Sequence, residues 1–206
     1  MSDAPFFSII IPTYNGADRI GKAIDSCLYQ SFTDFEIIVV CDSCTDKTQD
    51  IVKCIAHGDD RIRMYEACAH RDGIARNVGL DAARGRYILF LDDDDWWLHE
   101  FVLQLMFDCL KDGKSDALIF GIIWRTVGYK FQPAGSYIKM VAGHAWRREF
   151  IGDTRFDDGQ YSSDVRFLTK LLERKPIGSW TALPMYYYNF MRPGSLSDLH
   201  KRGEIE

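Results

Sequence analysis

Residues 87–97, with the sequence YILFLDDDDWW, constrain the fold of this 206-residue chain more than any other segment. Apolar residues of high strand propensity run directly into four consecutive aspartates, Asp92 to Asp95. Adjacent carboxylates repel one another, so a folded protein keeps them together only where other groups offset their charge. Mg²⁺ and Mn²⁺ prefer oxygen ligands, and they commonly take further ligands from a substrate's phosphates. The segment therefore predicts a buried strand that ends at a metal and phosphate site.

A solvated turn is the alternative for a run of aspartates, because Asp favours turns and helix N-caps. The flanking residues argue against this alternative. The apolar residues 88–91 before the run indicate a strand buried on both faces, and Trp96 and Trp97 enclose the run from the other side. Ligands of open α/β sheets bind at the carboxyl ends of the strands, so the position of the run favours a binding site.

Predicted strands and helices alternate through the first half of the chain. Apolar runs predict buried strands, and apolar residues at helical spacing, such as Ile20 and Ile24, predict the helices between them. This alternation implies right-handed crossovers and a mostly parallel sheet flanked by helices. The predicted strands are 7–12, 36–40, 61–66 and 87–91; the predicted helices are 17–30, one through 51–55 that begins at a capping box of Ser43 and Asp46, and 74–83.

The pattern changes after residue 98, where a Gly-rich and aromatic stretch of irregular structure separates the predicted elements. Neither a low-complexity linker nor an internal repeat divides the sequence. We therefore predict one α/β domain over 1–206, with a Rossmann-like half to about residue 97 and a smaller second part from about 98. The predicted elements of this part are helices at about 98–111 and 163–174, a strand at 117–123, and two short strands within 177–189 broken at Pro184.

Composition narrows the class of protein. The formal net charge of −5 argues against nucleic-acid binding, which needs a basic face. Apolar runs stay well below the roughly 18 residues of a membrane span, and the amino terminus lacks a signal-peptide pattern. We therefore expect a cytoplasmic protein with at most peripheral membrane contact. The six cysteines indicate reduced thiols. Cys41 and Cys44 have the spacing of metal ligands, but the sequence has no second CxxC, so a zinc site is not expected.

Polar groups follow several of the predicted strands at the point where each strand ends. The first strand ends in a turn in which the ring of Tyr14 can lie against a nucleobase. The second ends at Asp42 and Ser43, whose oxygens can hydrogen-bond to a pyrimidine. The fourth ends in the aspartate run. Three such ends at one crevice predict a nucleotide site, to which the first turn contributes Pro12, Thr13, Tyr14 and Asn15.

Five segments together resemble the family 2 glycosyltransferases, which are nucleotide-sugar enzymes with the A-type glycosyltransferase fold. They are PTYN after the first strand, VVCDSCTD after the second, GIARNVGLDAARGRYILFLDDDD, GQYSSDVRF and, near the end, YNFMRPGSLS. The resemblance covers most of the chain, from Phe6 to about Ser197. It implies a Rossmann-like sheet with a smaller acceptor-side part after it.

The resemblance also implies roles for individual residues. Asp42 matches the carboxylate that binds uracil, and Arg76 matches the Arg of a GxxARN segment beneath the nucleotide. Residues 92–94 match the DxD signature, in which Asp94 and Asp92 would bind Mn²⁺ or Mg²⁺ and Asp92 and Asp93 would contact the nucleotide. Asp164 matches the catalytic base, for which a helix N-cap is the alternative role.

Two residues depart from the family pattern. Cys41 stands where the family has Asp, and Ser163 replaces the Glu of an ED pair, which leaves Asp164 as its one carboxylate. Because of these two departures, the alternative hypothesis is a catalytically impaired protein that still binds a sugar nucleotide.

The acceptor side is predicted from aromatic and basic residues in the irregular segments. His144 and Trp146 fall where related enzymes shape the acceptor cleft, and Trp96 could act likewise, although core packing is the alternative for each ring. The basic segment 192–202 begins at Arg192 and predicts a mobile lid over the diphosphate. His200 is a candidate further metal ligand, with a frayed tail as the alternative.

The resulting hypothesis is an inverting, metal-dependent glycosyltransferase. It would use a nucleotide-diphosphate sugar, with UDP favoured, and a saccharide or lipid-linked acceptor of bacterial surface-polysaccharide synthesis. A second copy of the chain is a further candidate partner. Aspartyl-phosphate phosphatases are disfavoured because they need DxDx[TV], and dinucleotide oxidoreductases because the first strand is not followed by GxGxxG.

Overall fold

The computed structural model describes residues 4–126, 128–132, 140–159, 162–189 and 202. The helices are α1 Ile20–Leu28, α2 Thr48–Ala56, α3 Asp72–Ala82, α4 Val102–Leu110, α5 Arg148–Ile151 and α6 Ser163–Glu173, with a 3₁₀ turn at Val141–Gly143. The strands are β1 Phe7–Thr13, β2 Phe35–Asp42, β3 Ile62–Ala67, β4 Tyr87–Phe90, β5 Trp96–Trp97, β6 Ala117–Thr126, β7 Gly128–Gln132, β8 His144–Arg147 and β9 Gly178–Tyr188.

The described strands form one sheet in the order β3-β2-β1-β4-β8-β6-β9-β5, and β7 pairs with β6. Strands β1 to β4 are parallel to one another where they pair. Strand β8 then runs antiparallel between β4 and β6, while β9 is parallel to β6. The predicted α/β class is confirmed. Because β1, β2 and β4 point the same way, their carboxyl ends lie at one edge of the sheet, here called the carboxyl edge.

The buried strands form because their sequences supply apolar side chains to both faces of the sheet. Strands β1, β2 and β4 are buried at every position, as continuous Ile, Val and Leu runs predict. Helix α3 lies close on β1, since a Cβ at Gly79 would clash with the side chain of Ile10. A glycine is therefore needed at position 79 for this approach. The contact holds the first turn of α3 beside the carboxyl edge.

Three sequence predictions about local structure were wrong. The second helix begins at Thr48, and Ser43 lies outside it, so the predicted capping box does not form; Asp46 instead accepts a hydrogen bond from the Thr48 backbone N–H at 2.9 Å. Strand β9 continues through Pro184, because its pairing with β6 shifts register beside Gly121 and a proline fits at such an irregularity. Strands β7 and β8 lie where irregular structure was expected.

Strand β8 places His144 and Trp146 in the core. Trp146 is 0% exposed and its ring stacks on those of His144 and Phe150. His144 is also buried, and its Nδ1 lies 3.0 Å from the carbonyl oxygen of Met140. The prediction that these two rings shape an acceptor cleft is wrong, because neither ring reaches the surface. The β-pairing of residues 144–147 was not visible in the sequence pattern.

The predicted lid residues Arg192 and His200 lie outside the described residues. Among the helices that the structure describes, none combines the length and the apolar character that a membrane crossing requires.

His144 is expected to make folding stability depend on pH. Burial lowers the pKa of the imidazole from 6.5 to about 4. The unfolded chain therefore binds a proton that the folded chain does not, and stability is lost as the pH falls from 6.5 towards 4. Between pH 7 and pH 5 the loss from this residue is about 2 kcal/mol. Denaturant unfolding of wild type and His144→Phe at both pH values measures it.

In that comparison the phenylalanine variant should lose less stability on acidification than wild type, whatever its stability at pH 7. An equal loss in both proteins would show that His144 is not responsible.

Candidate active site

The loops that follow β1 and β2 are joined by hydrogen bonds into one rim at the carboxyl edge. The side-chain oxygen of Asn15 accepts the backbone N–H of Thr45 at 2.8 Å and of Asp46 at 3.3 Å. The Gly16 N–H donates to the hydroxyl of Thr48 at 2.8 Å. Asn15 adopts a positive φ of 46°, a conformation that Asn tolerates better than most residues. This predicted nucleotide residue therefore organises the loops that would surround a nucleotide.

Asp42, at the end of β2, organises a third loop. Its carboxylate accepts the backbone N–H groups of residues 69, 70 and 71 at 2.8, 3.1 and 2.7 Å, and the Ser43 hydroxyl at 3.0 Å. Burial alone would raise the pKa of Asp42, but these N–H groups lower it below the usual value. The carboxylate is therefore ionised and holds loop 69–71 against the end of β2.

An exposed ring lies beside loop 69–71. Tyr14 follows β1 and is 48% exposed, and its ring centroid is 5.3 Å from that of His70 in an edge-to-face arrangement. Pro12 and Thr13, which precede it, are buried at the end of β1. Of the four residues predicted from this turn, Tyr14 is the one that offers a ring surface to a ligand.

Burial alternates along the aspartate run. Asp93 and Asp95 are buried, whereas Asp92 and Asp94 are partly exposed. Asp93 accepts hydrogen bonds from Arg19 Nε at 2.8 Å and from the Thr13 hydroxyl at 2.6 Å. These contacts tie the run to β1 and to the amino end of α1. Asp93 was predicted to contact the nucleotide, and its carboxylate already has two partners in the protein.

Asp95 ties the run to β9. It accepts the Tyr186 hydroxyl at 2.6 Å and the Asn189 N–H at 2.8 Å. The same hydroxyl accepts the backbone N–H of Asp92 at 3.3 Å. Burial, with the negative charges of Asp92 and Asp94, raises the pKa of Asp95 well above its usual value. Asp93 and Asp95 therefore anchor the turn on two sides, and this leaves Asp92 and Asp94 as the pair that can face a ligand.

A buried arginine connects the run to α6. Arg76 on α3 donates from Nη2 to Asp92 at 2.7 Å, and its Nη1 lies 3.4 Å from a carboxylate oxygen of Asp164. The other oxygen of Asp164 accepts the Val141 N–H at 3.3 Å. Asp164 is the second residue of α6 and follows the N-cap Ser162, so the alternative role as a helix N-cap is wrong.

The electrostatic environment of Asp164 suits a base. Burial raises the pKa of its carboxyl above the usual value, Arg76 opposes that rise, and Asp92 adds to it. Asp72, in the first turn of α3, shares the environment, and its burial raises its pKa to about 6. The Asp164 side chain keeps 24% of its surface exposed, so an acceptor hydroxyl can reach it.

The donor set at the run fits a divalent cation of the Mg²⁺ or Mn²⁺ type. Within the described parts of the chain, no group of three or more His, Cys, Asp or Glu side chains is arranged to hold a metal ion. Two partly exposed carboxylates, Asp92 and Asp94, are nevertheless enough for an ion that takes its remaining ligands from phosphate and water. Within the aspartate run, the anchored Asp93 and Asp95 are already engaged by Arg19, Thr13, Tyr186 and Asn189.

Trp96 is not free to stack on a sugar. The Lys22 ammonium lies 3.0 Å from its ring centroid, and the ring of Tyr187 stacks at 3.9 Å with planes 15° apart. Two groups this close to one ring must cover its opposite faces. The prediction of an acceptor-stacking role for Trp96 is therefore wrong, although its edge remains partly exposed.

Sequence reasoning missed three residues of the site. Arg19 was missed because Asp93, its partner in the aspartate run, lies 74 positions away in the sequence. Tyr186 is likewise joined to Asp95 across 91 positions. Asp72 could have been found, since it directly precedes the GIARN segment at the start of a helix, where acidic residues are favoured.

Known proteins with similar sequences and structures identify the family and the fold of this chain. The family model described as Glycosyl transferase family 2 matches residues 8–174. The putative teichuronic acid biosynthesis glycosyltransferase TuaG of Bacillus subtilis is 42% identical over 178 residues, which are 84% of this chain and 64% of TuaG. The chain spans between 14% and 66% of the lengths of eight curated relatives that it matches.

Two solved structures share the fold at low sequence identity. TarS 1–349 of S. aureus, in complex with UDP-GlcNAc, has a TM-score of 0.83 at 23% identity, over 93% of this chain and 60% of that one. The mannosyltransferase PcManGT of Pyrobaculum calidifontis, in complex with GDP-Man and Mn²⁺, has a TM-score of 0.71 at 19% identity, over 94% and 59%. At these identities the likeness establishes the A-type fold.

The Tyr186 hydroxyl is expected to stabilise the acidic turn. Tyr186→Phe removes the donor to Asp95 and leaves a buried carboxyl oxygen without that partner, which costs about 1–3 kcal/mol of unfolding free energy. Denaturant unfolding at pH 7 measures the cost. Tyr29→Phe is the matched control, because Tyr29 is 80% exposed and its loss should cost nearly nothing. Equal stability of the two variants would contradict the anchoring role.

Proposed function

Because the chain belongs to glycosyltransferase family 2, we propose that it transfers a sugar from a nucleotide-diphosphate sugar to a saccharide or lipid-linked acceptor, with inversion at the anomeric carbon. One observation carries the proposal. Asp42, the Asp92–Asp94 pair and Asp164 come from three distant parts of the sequence, and all lie at the carboxyl edge. They supply a nucleobase contact, a diphosphate and metal contact, and a base.

The donor is proposed to be UDP-linked. Among the described residues, Oδ1 of Asp42 accepts three hydrogen bonds, whereas Oδ2 accepts the Arg71 N–H, and a carboxylate oxygen can accept two. It can therefore take the imide N–H of uracil, while Tyr14 offers a ring face at the entrance. The UDP-GlcNAc complex of TarS, which shares the fold, supports this choice.

Asp92 and Asp94 would hold a divalent cation, for which the Mn²⁺ complex of PcManGT is the supporting comparison. When bound, the cation offsets the charge that develops on the departing nucleoside diphosphate. The chain itself orients Asp92 through Arg76 and fixes the turn through Asp93 and Asp95. These contacts hold the exposed carboxylates in place before a ligand arrives.

Asp164 is proposed to be the general base. Its carboxylate removes the proton of the acceptor hydroxyl while that oxygen attacks the anomeric carbon, and the bond from that carbon to the diphosphate oxygen breaks. The proton ends on Asp164 and the electron pair on the nucleoside diphosphate. A pKa raised by burial makes the carboxylate a better base, and Arg76 keeps it ionised.

The acceptor is proposed to be a growing bacterial surface polysaccharide. The support is the 42% identity to TuaG, whose name places that protein in teichuronic acid biosynthesis.

A sugar-nucleotide-binding protein without turnover is the second candidate. Ser163 is 5% exposed and packs beside the first turn of α3, where a Cβ at Gly73 would lie 3.5 Å from that of Ser163. This packing leaves little room for the second carboxylate of an ED pair. Manganese-dependent release of UDP from a panel of UDP-sugars separates the two candidates, and tight binding without release favours the second.

Asp164→Asn is expected to lower the rate of UDP release on the order of 10²–10⁴-fold, because the general base is lost. Nucleotide affinity, measured by calorimetry with UDP and Mn²⁺, should change little. Asp158→Asn is the matched control, since Asp158 is exposed and nearby in sequence. A parallel loss of affinity in Asp164→Asn would assign a structural role to the residue.

Asp94→Asn is expected to weaken the thermal stabilisation by UDP and Mn²⁺ together. The apparent affinity should fall roughly tenfold, equivalent to about 1.4 kcal/mol, because a charged oxygen ligand is lost. Asp60→Asn, at an exposed position beside the start of β3, controls for net charge. Unchanged stabilisation in Asp94→Asn would exclude this carboxylate as a ligand.

A further inference from the structure

Arg76 is a costly residue to bury. It is 4% exposed, and its Nε has no hydrogen-bond partner among the residues that the structure describes. Taking a guanidinium out of water costs several kcal/mol unless good geometry and opposite charges repay it. Three carboxylates, Asp72, Asp92 and Asp164, surround it and raise its pKa, although burial opposes them. The burial of this cation among carboxylates therefore indicates that the position of Arg76 matters to the fold or to the site.

The position of Arg76 is itself held from two sides. Asn77, the next residue on α3, exchanges two hydrogen bonds of 2.9 Å with the backbone N–H and carbonyl of Phe156. The guanidinium carbon of Arg76 lies 5.7 Å from the ring centroid of Phe156. Phe156 in turn stacks on Phe167 of α6 at 3.9 Å with planes 5° apart. Helix α3, Phe156 and helix α6 are therefore packed together, with Arg76 between them.

The two terminal nitrogens of Arg76 contact groups with different tasks. Nη2 binds Asp92, which lies on the donor side, and Nη1 faces Asp164, the proposed base on the acceptor side. The guanidinium is planar and its nitrogens are a fixed distance apart. The separation of the two carboxylates is therefore set by one rigid group. A lysine could neutralise charge here, but its single nitrogen could not fix that separation.

We infer that Arg76 is the positioning residue for the base: its planar fork sets the Asp164 carboxylate relative to Asp92, and thereby relative to the anomeric carbon of the bound donor. The inference rests on the proposed function. Misplacement of a reacting group by about 1 Å can lower a rate roughly 100-fold, so the effect of the fork falls on turnover. Donor binding changes less, because a lysine at position 76 can still pair with Asp92 through its one nitrogen, and Asp42 and Asp94 are untouched.

A double-mutant cycle between Arg76→Lys and Asp164→Glu tests the inference. The glutamate keeps a carboxylate but displaces it by one methylene, which leaves a rate that can be measured. The assay is release of UDP from UDP-glucose or UDP-N-acetylglucosamine with Mn²⁺, with water as the acceptor. Turnover number and donor KM are determined for wild type, both single variants and the double variant. Arg76→Gln is the second variant if circular dichroism shows that Arg76→Lys is unfolded.

Arg19→Lys is the matched control. Arg19 also binds the aspartate run, through Asp93, but its other contacts are Asp18 and the carbonyl oxygens of Tyr14 and Asn15, not Asp164. The fold losses in turnover number caused by Arg19→Lys and by Asp164→Glu should multiply in the double variant, because the two residues act independently.

The expected result is that Arg76→Lys lowers turnover at least roughly tenfold and changes the donor KM less than about threefold. In the Asp164→Glu background the same substitution should lower turnover less than about threefold. Two outcomes overturn the inference alone: multiplicative effects of the two substitutions, or a loss that falls mainly on the donor KM. Failure of the wild type to release UDP from either sugar overturns the proposed function, and the inference with it.

Discussion

Compensation of negative charge at the carboxyl edge is the constraint on which the site depends. Four consecutive aspartates follow β4, and Asp72 and Asp164 are close enough to interact with them. Two buried or nearly buried arginines, Arg19 and Arg76, offset part of this charge from opposite sides. Hydrogen bonds from Tyr186 and backbone N–H groups offset a further part. Carboxylates still outnumber these two cations, and this surplus is the reason for proposing a divalent ion at Asp92 and Asp94.

The fold produces this concentration of charge by geometry. Parallel strands place their carboxyl ends at one edge, and the loops after β1 and β2 are bonded to each other there. Strand β8 then brings the 3₁₀ turn at Val141–Gly143 to the same edge, because it runs antiparallel to β4. That turn donates an N–H to Asp164. The amino half therefore supplies the proposed donor contacts, and the second half supplies the proposed base on α6 and a turn that donates to it.

The first half of the fold was predictable from the sequence because its signals are local. Buried strands there are continuous apolar runs, and the helices between them show clear periodicity, as in Ile20 and Ile24. The second half was predicted less well. Its strand β8 has four residues with mixed character, and pairing with distant strands creates it. The aromatic rings of that half were misassigned for the same reason, since partners such as Lys22 and Tyr187 come from other parts of the chain.

The sequence by itself determined the α/β class, the acidic end of β4 and the family to which the chain belongs, because residue type and short spacing carry all three. Only the tertiary structure decided which aspartates are buried and anchored and which are partly exposed. Asp93 and Asp95 turn inward to anchors 74 and 94 positions away, while Asp92 shares Arg76 with Asp164. The sequence alone does not distinguish four consecutive aspartates, because their side chains are the same. Their roles differ because burial and the available partners differ at each one.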